Sequence, residues 1–133
     1  MNNRVKCPSC KNVFDTNGFT CVCPKCNVEF SAPETSFLQV YRMGSPLGVA
    51  VGFGIYINGD PFGYVANKQS LRIPLPYGNY KLHFAQGMNR GGQDIIINLS
   101  PENPEAYAKV YMKPGFWSNK LIAEAAKKED MPE

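Results

Sequence analysis

Two copies of the motif Cys-Pro-x-Cys, 16 residues apart, constrain the fold of this chain more than any other feature of its sequence. The first copy spans residues 7–10, the second spans residues 23–26, and the same offset aligns Phe14 with Phe30. Two cysteines separated by two residues turn both sulfurs toward one point, and the adjacent proline stiffens the backbone there. We call each Cys-Pro-x-Cys turn a knuckle. The repeat therefore predicts that two knuckles together form a tetrahedral metal site, with the ligands Cys7, Cys10, Cys23 and Cys26.

The small size of this cysteine-rich segment explains why it needs a metal ion. A segment of about 30 residues is shorter than the roughly 40 residues below which hydrophobic burial alone seldom stabilises a fold. Structural zinc contributes on the order of 10–16 kcal/mol of apparent binding free energy in finger peptides. Because four cysteines leave no coordination position open for water, we expect one structural Zn²⁺ and not a catalytic one. Two alternatives stay open: cysteines that are free or form disulfides, and an iron ion held by the same four thiolates.

Cys21 is the fifth cysteine and lies outside the repeated motif. All five cysteines fall between positions 7 and 26, unlike the spread-out disulfide framework of a secreted protein. The residue aligned with Cys21 at the same offset is Val5, which indicates an apolar packing position that a free cysteine also suits. We therefore expect Cys21 to be a packing residue, and a role as a ligand or redox partner is the alternative.

Residues 4–31 resemble the zinc-ribbon family, in particular the short ribbons at the N-terminus of many bacterial proteins that carry paired Cys-Pro-x-Cys knuckles. In those ribbons glycine commonly follows the second cysteine of a knuckle, whereas this chain has Lys11 and Asn27 there. Asparagine adopts a left-handed backbone more readily than lysine does. The resemblance implies a metal-stabilised docking module, which binds nucleic acid in some members and protein in many.

The sequence changes character after a short polar stretch at residues 32–36, which we interpret as a linker. From residue 37 onward, segments of alternating apolar residues are bounded by Gly, Pro, Asn or Asp, as short β-strands are. The predicted strands are residues 37–43, 49–57, 62–66, 70–75, 79–85, 93–99 and 106–113. The predicted inward faces are Phe53, Ile55 and Ile57, then Tyr80, Leu82 and Phe84, then Ile95, Ile97 and Leu99. The chain is therefore expected to be mostly β, with an antiparallel, Ig-like β-sandwich of two sheets after the ribbon.

Two turn motifs strengthen the prediction of a sandwich. Asn58-Gly59 supplies the positive φ angles of a tight hairpin, and residues 76–79, Pro-Tyr-Gly-Asn, supply a second turn. With their surroundings, residues 55–63 and 75–82, these motifs resemble PEGA-like domains and related small bacterial sandwiches. In those domains Asp/Asn-Gly ends a strand and Pro-x-Gly-x-Tyr opens the next long one. The resemblance implies a non-enzymatic accessory domain that binds partners or is associated with the cell envelope.

Residues 116–133 follow the sandwich as a tail. A helix over residues 121–128 would place Leu121, Ile122 and Ala125 on one side and lysines near its C-terminal end. The tail can therefore form a short C-terminal helix, which we expect to dock on the sandwich or fray; a tail that stays mobile until a partner binds is the alternative. The sequence divides into a zinc ribbon at 1–31, a linker at 32–36, a β-sandwich at 37–115 and a tail at 116–133.

Residues with catalytic chemistry are scarce in this sequence. His83 is the only histidine, and strand alternation places it on the solvent side of its strand beside Lys81. There is no Gly-x-Ser-x-Gly elbow, and Gly48, Gly52 and Gly54 are not followed by the Gly-Lys-Ser/Thr of a phosphate loop. We therefore predict that the chain is not an enzyme.

Nucleic acid is the main alternative to a protein partner. Tyr107 and Tyr111 share a strand face with Lys109 and Lys113, and this aromatic and basic stripe could stack single-stranded bases. The formal net charge of +3 is too small to imply such a partner by itself.

The composition is that of a globular protein, with 44% hydrophobic and 19% charged residues. The N-terminus has no signal-peptide pattern, and the sequence contains no run of about 18 apolar residues, the length that spans a membrane. We therefore expect a cytoplasmic protein. These features together predict a non-enzymatic, zinc-binding adaptor whose ribbon and sandwich bind an unidentified protein partner. The alternatives are a nucleic-acid-binding zinc-ribbon protein and a redox or four-thiolate iron protein.

Overall fold

The structure, a computed structural model, describes residues 3–44, 52–85, 94–113 and 120–131, and most of these lie in β-strands. The strands are β1 Asn3–Lys6, β2 Val13–Thr16, β3 Thr20–Val22, β4 Glu29–Ser31, β5 Phe37–Arg42, β6 Phe53–Ile57, β7 Asp60–Val65, β8 Ser70–Pro74, β9 Gly78–Ala85, β10 Ile95–Leu99, β11 Glu105–Lys113 and β12 Lys120–Ala126. One turn of 3-10 helix, Lys128–Asp130, follows β12. The prediction of a mostly β fold is confirmed.

Two sheets pack face to face and enclose the main hydrophobic core. Counting the described strands, the larger sheet has six in the order β12-β11-β5-β8-β1-β2, and the smaller has four in the order β10-β9-β6-β7. Both sheets contribute side chains to the core: Leu38, Val40, Leu71, Ile73, Ala108, Val110, Met112 and Leu121 from the larger, and Phe53, Ile55, Ile57, Val65, Leu82, Phe84, Ile95, Ile97 and Leu99 from the smaller. The inward faces predicted from alternation are confirmed, with Tyr80 partly buried against the core.

Local turn chemistry sets the register of the smaller sheet. Asn58 and Gly59 have φ angles of 52° and 85°, the left-handed pair that a tight hairpin requires between β6 and β7. The Tyr80 hydroxyl donates to the Pro76 carbonyl at 2.7 Å and braces the turn before β9. The start of the predicted strand 49–57, the first residue of 93–99 and Gly48 lie outside the described residues.

The predicted C-terminal helix is wrong for the described part of the tail. Residues 120–126 form β12, which pairs antiparallel with β11 from Tyr107↔Ala126 to Lys113↔Lys120. Leu121 is 1% exposed and lies in the main core. Without β12, β11 would present a row of unpaired backbone groups, and pairing satisfies them while burying Leu121. These tertiary gains exceed the helix propensity of an alanine-rich segment that is too short to form a stable helix alone.

The cysteine-rich segment is connected to the sandwich by its first strand and by residues 32–36. β1 joins β8 in parallel at Asn3↔Arg72, so the β1–β2 hairpin extends the larger sheet. Ser36 is buried, its carbonyl accepts from the Leu75 N–H at 3.1 Å, and its hydroxyl donates to the Leu75 carbonyl. The predicted linker is therefore hydrogen-bonded to the sandwich in this structure.

Candidate metal centre

The two knuckles of the sequence repeat have the same backbone structure. The Cys7 N–H donates to the Asn12 carbonyl at 2.8 Å, and the Cys23 N–H donates to the Val28 carbonyl at 3.0 Å. In each knuckle the residue after the second cysteine donates back to the carbonyl of the first, from Lys11 at 3.0 Å and from Asn27 at 2.9 Å. The sequence repeat is thus a repeat of local structure, in which each of the two turns orients one pair of cysteines.

The four repeat cysteines bring their sulfurs together at one point. All four Sγ atoms lie within 4.8 Å of one another. The Sγ atoms of Cys7 and Cys26 are 3.6 Å apart, and so are those of Cys10 and Cys23. Four sulfurs about 2.3 Å from a central Zn²⁺ would be separated by about 3.8 Å at the edges of a tetrahedron. The donor set and its spacing therefore fit a tetrahedral metal ion.

Backbone amides stabilise negative charge on one sulfur of each knuckle. The N–H groups of Ser9 and Cys10 lie 3.4 and 3.5 Å from the Cys7 sulfur, and the Lys25 N–H lies 3.4 Å from the Cys23 sulfur. Burial raises the pKa of the Cys7 and Cys23 thiols, but the hydrogen bonds outweigh it, lowering the pKa of Cys7 and bringing that of Cys23 to about 6. These two buried cysteines are therefore prepared for ligation as thiolates.

Cys26 shows the electrostatic cost of gathering four thiols. The Val28 amide lowers its pKa, but burial and the neighbouring sulfurs of Cys10, Cys7 and Cys23 together raise the pKa to about 12. Sulfurs this close cannot all carry negative charge without a compensating cation. A divalent metal ion would supply that charge, and the chemistry of this donor set favours one.

A second, smaller core lies beside the knuckles. Its buried residues are Val5, Cys21 and Ala32, with Phe14, Phe19 and Phe30 partly buried against them. The rings of Phe14 and Phe30 meet edge to face, with their centroids 6.0 Å apart. The two phenylalanines that the repeat aligns thus contact each other beside the knuckles.

Cys21 belongs to this small core and not to the sulfur cluster. It is 1% exposed, and its thiol lies 3.6 Å from the Phe19 carbonyl. Burial raises the pKa of the Cys21 thiol, which keeps it protonated at neutral pH. These features support its predicted packing role.

Arg4 and Asn12 are two neighbours of the site that sequence reasoning missed. The Asn12 side-chain amide approaches the Cys23 sulfur at 3.9 Å. Arg4 is buried and reaches the sandwich strand β7. Asn12 aligns with Val28 in the repeat, so the motif gave no signal for Asn12. No local pattern identifies the contacts of Arg4, because its partners on β7 lie 58 and 60 residues away.

The other candidate residues are partnered locally. His83 Nδ1 lies 2.7 Å from a carboxylate oxygen of Asp94, whose other oxygen lies 3.5 Å from Lys81 Nζ. The centroid of the His83 ring lies 6.1 Å from the centroid of the Tyr56 ring. The predicted solvent-side position of His83 is borne out in part, since its side chain keeps 24% of its exposure.

Carboxylates accompany the tyrosine and lysine stripe on β11. The hydroxyl of Tyr107 donates to Glu105, the hydroxyl of Tyr111 donates to Glu124 at 3.3 Å, and Lys109 Nζ lies 3.7 Å from the same Glu124. The side chain of Lys113 lies outside the described residues. Acidic groups thus accompany the cations and aromatic rings that a nucleic acid would need.

Comparisons with family models, curated proteins and solved structures found no match to this chain. The sulfur cluster is consistent with the resemblance to zinc ribbons, and the resemblance to PEGA-like domains stays a prediction. Among the described residues, no helix is long and apolar enough to cross a membrane.

Proposed function

We propose that this chain is a non-enzymatic adaptor that holds one structural Zn²⁺ through Cys7, Cys10, Cys23 and Cys26 and binds a protein partner. The observation that carries the proposal is the cluster of four sulfurs within 4.8 Å of one another. Zinc in such a site stabilises the fold of the segment that binds it. Four thiolates saturate a tetrahedral ion, so no position is left for a substrate.

Backbone and side-chain amides of this chain hold the ligands in position and stabilise their negative charge. The amides of Ser9, Cys10 and Lys25 donate to two of the four sulfurs, which fixes sulfur positions and spreads their charge. The Asn12 side-chain amide lies 3.9 Å from the Cys23 sulfur. A site supported in this way is suited to permanent occupancy, which agrees with a structural role.

A cleft between the ribbon and the sandwich supports a protein partner. It encloses about 210 Å³ and is lined by Val5, Lys6, Pro8, Phe30, Ser31, Ala32, Pro33, Phe62, Pro74, Leu75 and Pro76. Sites for small molecules usually enclose about 300–1,000 Å³, so this volume suits one or two apolar side chains of a protein better than a cofactor. The four prolines lack backbone N–H donors, which keeps the lining apolar.

The alternative of nucleic-acid binding has weaker support. The stripe of Tyr107, Lys109 and Tyr111 is accompanied by Glu105 and Glu124, which would repel phosphate. Binding by this face would fall steeply with salt if it occurred. Titration of the protein with mixed-sequence single-stranded DNA at low and at physiological salt would detect it.

Metal analysis tests the first half of the proposal. Purified protein should contain one zinc per chain and be colourless, whereas an iron site with four thiolates would absorb visible light. Replacing Cys23 with Ser should abolish stoichiometric zinc. Purified protein that contains no metal and cannot be loaded with zinc would contradict the proposal.

Capture of partners tests the second half. Pro76 and Tyr77 are adjacent and both exposed, but only Pro76 lines the cleft. Pro76→Asp should abolish capture of a protein that the zinc-loaded chain retains, and Tyr77→Asp should leave capture intact, with zinc content unchanged in both. Equal capture by both variants would exclude the cleft as the docking site.

A further inference from the structure

Arg4 of the ribbon occupies the place of a neighbouring strand beside β7. Its Nη1 donates to the carbonyl oxygens of Phe62 at 3.0 Å and Tyr64 at 2.9 Å, which are two residues apart on β7. Within the described part of the chain β7 is the last strand of the smaller sheet, so no described strand pairs with these carbonyls on that side. The guanidinium thus satisfies two edge carbonyls that an adjoining strand would otherwise satisfy.

The surroundings of Arg4 are shaped to hold it there. Asp15 on β2 accepts hydrogen bonds from Nε and Nη2 of Arg4, and the arginine is 7% exposed. Gly63, between the two acceptors, has a φ of +77°, and a Cβ there would lie 2.8 Å from Arg4 Nη1. Absence of a side chain at residue 63 therefore lets the guanidinium approach the β7 backbone.

β8 is the second strand that the ribbon covers. It is flanked by β5 on one side and by β1 on the other, where Asn3 pairs with Arg72. Lys6, the last residue of β1, places its Nζ 4.5 Å over the ring of Phe62. β1 therefore closes one side of the sandwich by contacts with both sheets.

We propose that the metal-loaded ribbon is a releasable cover for the edges of β7 and β8, and that loss of the metal uncovers both edges. The inference rests on the proposed function, because it requires the four cysteines to hold a metal ion. Cys7 directly follows β1, and the small core beside the knuckles buries only Val5, Cys21 and Ala32 among the described residues. So small a core cannot hold β1 in place without the metal, whereas the main core contains none of the four cysteines.

Hydrogen exchange on the full chain tests this cover. The zinc-loaded protein and the protein treated with a chelator and a reductant would be compared by mass spectrometry. Chelation should raise exchange about tenfold or more in residues 60–65 and 70–74 and leave residues 78–85 and 95–99 nearly unchanged. Unchanged exchange in residues 70–74, with the knuckles fully exchanged, would overturn the proposal. An equal rise in residues 78–85 would also overturn it.

Two glycines supply a matched pair of variants in the zinc-loaded state. Gly59 and Gly63 have φ angles of +85° and +77°, so alanine strains the backbone at both, but only at Gly63 would the new Cβ meet Arg4. Gly63→Ala should raise exchange in residues 70–74 while one zinc per chain is retained, and Gly59→Ala should not. Equal exchange in the two variants would contradict the role of Arg4.

Arg4→Met, matched by Glu29→Met at an exposed ribbon position, repeats the test if Gly63→Ala does not fold. Only Arg4→Met should raise exchange in residues 70–74. A chain that binds no zinc contradicts the proposed function and the cover together. A variant that keeps one zinc per chain but shows no rise in exchange in residues 70–74 contradicts the cover alone.

Discussion

Lys11 and Asn27 hold the same left-handed backbone conformation at equivalent positions of the two knuckles, with φ angles of 68° and 64°. Each N–H closes its knuckle by donating to the carbonyl of the first cysteine, Cys7 or Cys23. The conformation is imposed by the turn that aims the sulfurs, whichever residue stands there. Lysine adopts it less readily than asparagine, so the two knuckles carry unequal strain.

Lys11→Gly should therefore stabilise the zinc-loaded protein. A left-handed non-glycine residue costs about 1–2 kcal/mol, and the greater freedom of glycine in the unfolded chain offsets about 0.5–1 kcal/mol of the gain. We expect a net stabilisation of about 0.5–1 kcal/mol, and a smaller one for Asn27→Gly. Urea unfolding at saturating zinc measures both, and a larger gain for Asn27→Gly would show that strain at Lys11 is relieved by other contacts.

Cys21→Val should leave the metal centre intact. Cys21 packs in the small core with its thiol protonated, and valine already occupies the aligned position 5. A volume-conserving apolar exchange usually costs less than about 1.5 kcal/mol. Zinc should stay at one per chain in this variant and be lost in Cys23→Ser, as a colorimetric zinc assay on denatured protein would show. Loss of zinc from Cys21→Val would make Cys21 a ligand.

Local features of the site were predictable from the sequence, and its long-range contacts were not. Motif spacing separated the four clustered cysteines from Cys21 because each knuckle is built from residues within one turn. The contacts of Arg4 with Phe62 and Tyr64 join residues 58 and 60 positions apart. The pattern of apolar and polar residues within one strand carries no information about which distant carbonyls will face the side chains of that strand.

The same distinction explains the error in the tail. Strands β6, β9 and β10 were predictable because each alternates strongly between apolar and polar residues and is bounded by turn residues. Residues 121–126 are apolar or alanine at most positions, so helix and strand patterns both fit them. The free edge of β11 decided between these patterns, and pairing with that edge is a tertiary effect.

Substitutions in β12 should distinguish the strand from a helix. In the strand, Leu121 is buried in the core, whereas Ile122 pairs with Tyr111 and is half-buried on the other face. Leu121→Ala should destabilise the protein by about 2–5 kcal/mol, and Ile122→Ala by about 1 kcal/mol. Equal losses in urea unfolding would favour the helix, in which the two side chains share a face.

Asp94 should contribute stability that disappears in acid. The hydrogen bond from His83 is the main cause that lowers the pKa of Asp94; burial opposes it, and the charges of His83 and Lys81 lower the pKa further. Because the folded-state pKa is below the ordinary value of about 3.9, the contribution is fully present above that pH and is lost as the pH falls through the folded-state pKa. The stability difference between wild type and Asp94→Asn should therefore be constant from pH 5 to pH 6 and shrink below about pH 4. Urea unfolding across this range measures the difference, with Asp60→Asn at the exposed start of β7 as the control. A difference that persists undiminished at pH 2 would show that the Asp94 carboxylate charge is not its source.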